Sequence, residues 1–355
     1  MSECPPKDRL KEIEFQEILI IKPSSFGDVI HALPAVGAIR RRFKKARISW
    51  LIKSEWGPII EGHSFIDEVL SVPFSWGSLQ GMVHAVRKRS FDLVVDLQGL
   101  FRSAVLGFLS KAPVRIGLAN SREGAPFFYT DCVSVPQGAM HAVDRYRLVS
   151  EALGAGGDRI DFGIDPSEEA VSSADQLMAE VGLPQSAPFV LVHPTARWES
   201  KKWDRDRFAK LGDWLIGEKN IPLFFVGSSG ERSEIDQIIS SMRQSAENLA
   251  GKTCLGTLAE LSRRACFFVC NDSGPMHLAA AMGTPIFALF GPTDPKKVGP
   301  YGSTSTVIRK GVDCTGCRRG RCMQEKKCMK AILVEDVIRE ISSRWQEIKE
   351  PLNKS

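Results

Sequence analysis

The sequence has no long apolar run, and no stretch approaches the ~20 consecutive apolar residues that cross a bilayer. Residues 1–16 are polar and charged, without the apolar core of a signal peptide. Neither sign of charge dominates, since 47 basic residues and 42 acidic residues leave a formal net charge of +5. We therefore expect a cytosolic protein whose mild positive charge suits an anionic ligand or membrane surface without requiring nucleic acid.

Two nucleotide-binding fingerprints are also missing. The only close match to Gly-x-Gly-x-x-Gly, at 154–157, follows a helical pattern instead of a strand. No Walker-type Gly-Lys-Ser/Thr is present. The sequence therefore disfavours both a dinucleotide-dependent dehydrogenase and a P-loop enzyme.

Short apolar segments of strand type alternate with helical patterns along the chain. Segments that are apolar on both faces and separated by helix-length stretches are typical of parallel sheets covered by helices. The pattern predicts an α/β fold, and 355 residues with 43% hydrophobic content are enough for two cores. The predicted strands lie in EILIIK (17–22), RISWLI (47–52), FDLVVDL (91–97), PFVLVH (188–193), PLFFVG (222–227), CFFVCN (266–271) and TPIFALFG (284–291).

A segment rich in Gly, Asp, Ser and Pro, at 154–188, is the predicted domain boundary. We expect an N-terminal domain over 1–165, a C-terminal domain over 185–333 and a C-terminal helix within 334–355. Each domain is predicted to be a doubly wound sheet. Ligands are then expected at the carboxyl ends of the strands and in the cleft between the domains.

The segment IIKPSSFGDVIH, at 20–31, leads from an apolar strand into a helix through a polar turn. Ser24 and Ser25 are suited to cap a helix that begins near Gly27, and a carboxylate at Asp28 gains from the helix dipole. The same turn follows the first strand, where doubly wound sheets place their chemistry. The dipole should keep Asp28 ionised and therefore a modest base. On spacing alone, a helix cap and a general base both remain open.

A second junction, at 266–283, ends a strand in Asn-Asp-Ser-Gly and continues into a helix with Pro in its first turn. Such a helix start presents free N–H groups and a positive dipole end, which can hold phosphate without a Walker loop. Lys201 and Lys202 follow another strand, where a lysine can neutralise a pyrophosphate leaving group. The alternatives are an ordinary helix cap with a packed His277, and two solvated lysines.

The basic run RRRFKKAR, at 40–47, ends the first predicted helix. Cations complement a helix C-terminus, so a solvated helix end is the simpler interpretation. Attraction to anionic lipid headgroups is the alternative. In both cases we expect the run to face solvent.

Four of the nine cysteines form a cluster with the spacing C-x2-C-x4-C-x5-C among basic residues: Cys314, Cys317, Cys322 and Cys328. Such a cluster is a candidate structural zinc site, and the neighbouring cations favour thiolates. The spacing is not that of a standard zinc ribbon, so a labile disulfide or free thiols remain open. No catalytic metal is predicted, because Asp204 and Asp206 are interpreted as acids at a helix N-terminus.

As a set, these motifs resemble those of glycosyltransferase family 9, the ADP-heptose:lipopolysaccharide heptosyltransferases. The resemblance implies a GT-B architecture, with two Rossmann-like domains facing across a cleft and the last helix returning toward the first domain. It also implies inversion at the sugar carbon with no required cofactor. It spans about residues 17–340 and rests on SSFGDVIHALPAV, DLQGLFRS (96–103), NSRE (120–123), HAVDRYR (141–147), HPTARWESKKW, NDSGPMHLAAAMGTP, GPTDP (291–295) and CMKAI.

The resemblance assigns roles to single residues. Asp28 matches the general base that deprotonates the acceptor hydroxyl, and Lys201 matches the lysine that meets the departing phosphates. Lys202 remains the alternative lysine, because one residue is inserted upstream relative to some family members. The other donor-side positions are Thr195, Glu231 (nucleotide ribose), Leu255 (adenine loop), Asp272, Ser273, Gly274 and His277. The acceptor-side positions are Ser25, Gly27, Arg102, Arg122 and Arg145, and arginine forks suit carboxylate and phosphate.

The function implied by the resemblance is transfer of heptose from ADP-heptose to the anionic inner core of lipopolysaccharide. A cytoplasmic monomer peripherally associated with the inner membrane is expected. Two alternatives remain open. One is a transferase or epimerase that uses another nucleotide sugar, and the other is a non-catalytic nucleotide-sugar-binding protein, for which a base at Asp28 has no purpose.

Overall fold

The computed structural model describes residues 8–184, 186–314, 317 and 320–350. The chain divides into two compact units, Met1–Asp165 and Pro166–Ser355. Each unit contains one six-stranded sheet, and all strand pairs in both sheets are parallel. The predicted α/β class, with two Rossmann-like domains, is therefore confirmed.

The sheet of the first unit has the strand order β3-β2-β1-β4-β5-β6. The order reverses between β1 and β4, which makes their carboxyl ends the expected place for a ligand. The strands are β1 (Glu17–Ile21), β2 (Arg47–Lys53), β3 (Glu68–Val72), β4 (Leu93–Asp96), β5 (Val114–Leu118) and β6 (Asp131–Val133). The helices are α1 (Phe26–Arg42), α2 (Leu79–Arg87), α3 (Phe101–Leu109) and α4 (Ala142–Ala152).

Strand β1 explains why this sheet forms. Ile18 and Ile20 point into one buried cluster, whereas Leu19 and Ile21 point into another, and all four are fully buried. Alternate side chains of a strand face opposite sides of the sheet, so both faces of β1 are covered. The continuous apolar run is the sequence signature of this arrangement.

The second unit repeats the same topology, with the strand order β12-β11-β10-β7-β8-β9. Its order reverses between β7 and β10, so their carboxyl ends form the second expected ligand edge. The strands are β7 (Val190–His193), β8 (Leu223–Phe225), β9 (Glu247–Asn248), β10 (Phe267–Asn271), β11 (Ile286–Leu289) and β12 (Thr306–Ile308). The helices are α5 (Glu168–Glu180), α6 (Arg205–Gly217), α7 (Arg232–Ser240), α8 (Leu255–Arg264), α9 (Gly274–Ala281), α10 (Pro295–Val298), α11 (Lys327–Lys330), α12 (Val334–Ser343) and α13 (Trp345–Ile348).

Both ends of the second unit extend beyond the range 185–333. Helix α5 lies before that range and packs on α8. After it, α12 and α13 bury Val337, Ile341 and Ile348 in the core of the second unit. Because α12 packs on α6 and β12, the C-terminal segment belongs to this unit. Its expected return toward the first domain stays a prediction.

The basic run at the end of α1 is largely paired with acids. Arg40 forms an ion pair with Asp67, and Arg42 forms one with Glu14. The neighbouring Arg41 lies 3.8 Å from an aspartate carboxylate, that of Asp161. These arginines are half-buried, although the run was expected to face solvent. Lys44 and Lys45 are exposed, as expected. Three acids distant in sequence hold the arginines against the first unit.

None of the helices in the described ranges is long and apolar enough to cross a membrane.

Candidate active site

Asp28 lies in the first turn of α1, directly after the carboxyl end of β1. Its Oδ2 accepts hydrogen bonds from the backbone N–H of Ser25 at 3.2 Å and from Ser25 Oγ at 2.8 Å. These bonds and the helix dipole favour the ionised carboxylate. Gly27 is buried beside it in the same turn. Ser25 is the N-cap residue as predicted, but its hydroxyl donates to Asp28 and does not cap a backbone N–H. This turn lies at the point where the strand order reverses.

Lys22 is a buried cation beside this turn. Its Nζ donates to Gln98 Oε1 at 3.2 Å and lies 5.2 Å from the centre of the Tyr146 ring. Burial opposes its charge, but the Tyr146 phenol and the Asp28 carboxylate outweigh this effect and raise the pKa of Lys22. Gln98 Oε1 also accepts from the backbone N–H of Ser24 at 3.4 Å. Lys22 and Gln98 thus join the turn before α1 to the loop after β4.

The loop after β4 is organised by the buried carboxylate of Asp96. Its Oδ1 accepts from the backbone N–H groups of Gln98 and Gly99 at 2.9 and 3.1 Å. Its Oδ2 accepts from Ser103 Oγ and from Tyr129 OH, each at 2.8 Å. Burial raises the pKa of Asp96, and these donors oppose that shift. Four donors therefore fix the loop that presents Gln98 to Lys22.

The three arginines predicted on the acceptor side lie near the carboxyl ends of β4 and β5. Arg102, in α3, donates to the backbone carbonyl of Phe74 at 2.9 Å. Arg145, in α4, donates to Asn120 Oδ1 at 3.0 Å. Arg122 is exposed, in the loop after β5. Two of the three are thus oriented by neighbouring loops, and their contact with an acceptor stays a prediction.

In the second unit, the carboxyl ends of β7 and β10 bring Lys201 and Asp272 together. Lys201 Nζ lies 2.7 Å from Asp272 Oδ2 and 4.9 Å from the centre of the Trp198 ring. Thr293, in the GPTDP loop after β11, donates to the same carboxylate oxygen. We call Lys201, Asp272 and Thr293 the lysine cluster. It holds a cation at the edge of the sheet where a ligand is expected.

Lys202 has different partners from Lys201. Its Nζ lies 2.8 Å from Glu234 in α7 and 3.2 Å from Glu199. Burial lowers the pKa of Lys202, but these two carboxylates outweigh burial and raise it. Of the two lysines, the structure brings only Lys201 to Asp272. This placement favours Lys201 as the lysine of the donor site.

His193, the last residue of β7, connects three of the predicted donor-side residues. Its Nδ1 lies 3.0 Å from Ser273 Oγ and its Nε2 lies 3.1 Å from Thr195 Oγ1. Thr195 also donates to Glu231, which accepts a backbone hydrogen bond from Ser228 at 2.6 Å. Burial raises the pKa of Glu231, but His193, Thr195 and Ser228 lower it far below its ordinary range. Glu231 is therefore an ionised acceptor held in a fixed orientation.

All the predicted donor-side residues follow strands of the second sheet. Because the strands are parallel, these residues share the carboxyl edge of the sheet. Gly274 begins α9, and His277 is buried in the same helix. The order is Thr195, Lys201 and Lys202 after β7, Glu231 after β8, Leu255 after β9, and Asp272, Ser273, Gly274 and His277 after β10. Thr293, which was not predicted, follows β11.

The cysteine cluster is not assembled as a metal centre. In the described part of the chain, no three His, Cys, Asp or Glu side chains are placed to hold a metal ion. The four thiols are free; Cys328 is buried and Cys317 is exposed. Burial and the neighbouring thiols of Cys314 and Cys322 raise the pKa of Cys328. The structural zinc site stays a prediction. Asp204 and Asp206 lie at the start of α6 as predicted.

Sequence reasoning missed four residues that connect these sites: Lys22, Gln98, His193 and Thr293. Each lies inside a motif of the resemblance or beside one, yet none was assigned a role. A usable signal was present, because each follows or ends a predicted strand. Except for Thr195, which contacts His193, their partners are distant in sequence, so only the fold identifies those contacts.

Comparisons with known proteins identify the family of this chain. Residues 80–328 match the family model of glycosyltransferase family 9 (heptosyltransferase). The lipopolysaccharide core heptosyltransferase OpsX of Haemophilus influenzae is 26% identical over 302 residues, covering 82% of this chain and 84% of that protein. The solved glycosyl transferase family 9 structure from Veillonella parvula has a TM-score of 0.82 and 25% identity, covering 95% of this chain and 99% of its own.

A second solved structure is the E. coli heptosyltransferase WaaC with ADP-2-deoxy-2-fluoro heptose. It has a TM-score of 0.72 and 24% identity, and the match covers 93% of this chain and 100% of that chain. The family match spans well over half of the 355 residues. This chain therefore belongs to glycosyltransferase family 9, the heptosyltransferase family, and is a glycosyltransferase with the GT-B fold.

Proposed function

We propose that the protein transfers heptose from ADP-heptose to the inner core of lipopolysaccharide, with inversion at the anomeric carbon and without a metal. The observation that carries this proposal is the lysine cluster at the start of α9. A cation beside a helix N-terminus is suited to the diphosphate of a nucleotide sugar. The analogue bound to the E. coli relative supports ADP-heptose as the donor.

The lysine cluster is assigned to the leaving group. When the bond between the anomeric carbon and the phosphate oxygen breaks, negative charge develops on the departing ADP. Lys201 offsets that charge, and the N–H groups in the first turn of α9 add to the effect. Because Asp272, which accepts from Thr293, orients Lys201 before the donor binds, little reorganisation is required. Glu231 is assigned to the ribose hydroxyls, since its ionised carboxylate accepts hydrogen bonds.

Asp28 is assigned to the acceptor hydroxyl. The hydroxyl oxygen forms the new bond to the anomeric carbon, and its proton passes to the Asp28 carboxylate. An ionised aspartate is a modest base, so proton transfer is expected to come late, when the hydroxyl has become acidic. Attack on the face opposite the departing ADP inverts the configuration. The Ser25 hydrogen bonds keep the carboxylate in one orientation for this step.

The acceptor side is assigned to Arg102, Arg122 and Arg145. Their guanidinium groups suit the carboxylates and phosphates of a lipopolysaccharide core. Because such an acceptor is carried by a lipid, the proposal includes a monomer in the cytoplasm that associates peripherally with the inner membrane. The name of the Haemophilus relative supports the acceptor class.

The proposal is tested by ADP release from ADP-heptose with a deacylated lipopolysaccharide core as acceptor, in the presence of a chelator. Asp28→Asn keeps an oxygen that accepts the cap bonds but removes the base. We expect it to bind ADP normally and to lose about 10²–10⁴-fold in turnover. Asp206→Asn is the matched control, since Asp206 is also an acid in the first turn of a helix, and it should keep its activity.

Two outcomes would contradict the proposal. One is a wild-type protein that is inactive on every core acceptor, and the other is an Asp28→Asn variant as fast as the wild type. A thermal-shift panel then identifies the ligand, because a bound nucleotide sugar stabilises the fold in proportion to its affinity. Protection by a UDP-sugar instead of ADP-heptose would favour another nucleotide-sugar enzyme.

A further inference from the structure

Several exposed aromatic side chains of the first unit lie together on α3 and the 3-10 turn Ala125–Phe128. Phe101 and Phe108 are 41% and 52% exposed, and Phe127 is 92% exposed. The Phe128 ring lies 5.5 Å from that of Phe101 and 6.0 Å from that of Phe108, between centres. We call these four residues the phenylalanine patch. Phe128 thus links the rings of Phe101 and Phe108, and Phe127 is its neighbour in the chain. Clustered exposed apolar surface marks an interaction site.

Helix α3 is apolar on two faces. Its inner face buries Ala104 and Leu106 against the sheet. Its outer face carries Phe101, Val105 and Phe108 at the spacing i, i+4, i+7, which places them on one side of a helix. A surface helix is ordinarily polar on its outer side, so this outer stripe is suited to a second partner.

Arg115 holds the phenylalanine patch in one arrangement. Its Nε donates to the carbonyl of Phe128 at 2.8 Å, and its Nη1 donates to the carbonyl of Ala112 at 2.7 Å. The guanidinium carbon lies 5.5 Å from the centre of the Phe108 ring. The arginine thus joins the end of the 3-10 turn, the segment between α3 and β5, and the Phe108 ring of α3. The patch is a preformed surface, which lowers the entropy cost of docking.

The segment that carries the phenylalanine patch is basic. Residues 101–128 contain four basic side chains and one acidic side chain, a net charge of 4 − 1 = +3. Lys111 and Arg122 are exposed, and the acid, Glu123, accepts a hydrogen bond from the backbone N–H of Phe101 at 3.3 Å. Exposed aromatic rings next to cations are the combination that suits the interface of an anionic bilayer.

The other basic surface considered from the sequence is less suited to lipid. The arginines at the end of α1 are paired with Asp67, Asp161 and Glu14. Those acids offset the charge of the three arginines, which leaves Lys44 and Lys45 as the exposed cations of the run. No large exposed hydrophobic side chain of the described residues lies within 40–47. The phenylalanine patch differs because it combines exposed cations, Lys111 and Arg122, with exposed apolar side chains.

We propose that the phenylalanine patch, with Lys111 and Arg122, docks the first unit on the surface of an anionic bilayer. This inference rests on the proposed function, because an acceptor carried by a lipid requires an enzyme at the membrane. Arg102 lies on the same helix as Phe101 and Phe108. The helix that contacts the membrane in this proposal therefore also carries a residue assigned to the acceptor. An acceptor embedded in the membrane would then lie close to Arg102.

The test measures cosedimentation of the full chain with vesicles of phosphatidylglycerol and phosphatidylethanolamine, and with vesicles of phosphatidylcholine alone. Phe108→Ser/Phe127→Ser should bind the anionic vesicles at least tenfold more weakly than the wild type. Phe127→Ser alone, at the most exposed position, should give a smaller loss in the same direction without affecting folding. Met323→Ser is the matched control, since Met323 is 83% exposed in the second unit, and it should bind as the wild type does. Binding to phosphatidylcholine should be weak for every variant.

Activity gives a second readout that separates this inference from the proposed function. The double variant should turn over a deacylated, soluble core acceptor like the wild type and should be slower on lipopolysaccharide embedded in vesicles. If the wild type binds anionic vesicles through the patch but transfers no heptose, the docking surface stands and the proposed function fails.

Two results would overturn the inference. One is unchanged vesicle binding by the double variant. The other is a wild-type dimer in sedimentation velocity that Phe108→Ser/Phe127→Ser converts to a monomer, because the patch would then be an interface between two copies of this chain.

Discussion

Replacement of Lys201 is expected to affect stability and catalysis through different interactions. Lys201 Nζ lies 2.7 Å from Asp272 Oδ2, and the Asp272 side chain is only 4% exposed. At that distance of 2.7 Å and an effective dielectric constant of ~20, the Coulomb energy is about 6 kcal/mol, much of which offsets desolvation of the two charges. Lys201→Met leaves a buried carboxylate without its cation, which should lower the free energy of unfolding by about 3–5 kcal/mol.

The catalytic effect should be separable by a second substitution. Loss of one preorganised group that stabilises transition-state charge costs about 10²–10³-fold in turnover. Lys201→Met should therefore lower kcat/KM for ADP-heptose by about this factor. Lys201→Met/Asp272→Asn removes both charges, so most of the lost stability should return, while the activity should stay low. Lys202→Met is the matched control, and its activity should change little because its partners are Glu234 and Glu199.

Urea unfolding and initial rates of ADP release measure the two effects on the same samples. Recovery of activity together with stability in the double variant would mean that Lys201 acts only on the fold. An equal loss of activity in Lys202→Met and Lys201→Met would mean that the wrong lysine has been assigned. Either result refutes the reasoning about the lysine cluster.

Two further predictions concern the carboxylates that orient the sites. Tyr129→Phe removes one hydrogen-bond donor to the buried Asp96, so the free energy of unfolding should fall by about 1–3 kcal/mol in a urea titration. An unchanged midpoint of urea unfolding would contradict this account of the loop. The depressed pKa of Glu231 implies a stabilising contribution that is complete above its ordinary value of 4.5 and is lost as pH falls below it. The unfolding temperature of Glu231→Gln should therefore decrease less steeply than that of the wild type as the pH is lowered below 4.5. An equally steep decrease in the variant would exclude this contribution.

The central strands of both sheets were predictable from the sequence, whereas the edge strands were not. Strands β1, β7 and β10 are buried on both faces, so they appear as continuous apolar runs. The edge strands β3, β6, β9 and β12 were all missed, as was β5. Strand β9 has only two residues, Glu247 and Asn248, and β12 is largely accessible. Short or polar segments of this kind become strands only because a neighbouring strand is already in place.

The parts of the site that follow directly from residue types at strand ends were predictable from the sequence. The turn at Asp28 and the helix that begins at Gly274 were located because capping residues follow apolar strands. The distinction between Lys201 and Lys202 required the positions of Asp272 and Glu234, which lie distant in sequence. The ion pairs of the basic run at the end of α1 were likewise not predictable, because Asp67, Asp161 and Glu14 lie in other segments of the chain. Sequence spacing does not report such pairings.

Because the strand order is repeated in two separate sheets, acceptor preference and donor preference can change independently during evolution. The groups assigned to the acceptor and those assigned to the donor belong to two separate sheets, each with its own core. Substitutions in the loops after β1, β4 and β5 can therefore change the acceptor while the nucleotide-recognising loops keep their geometry. A variant library confined to these acceptor loops should yield new acceptor preferences with an unaltered donor, and inherited changes of acceptor should accumulate in the same part of the chain.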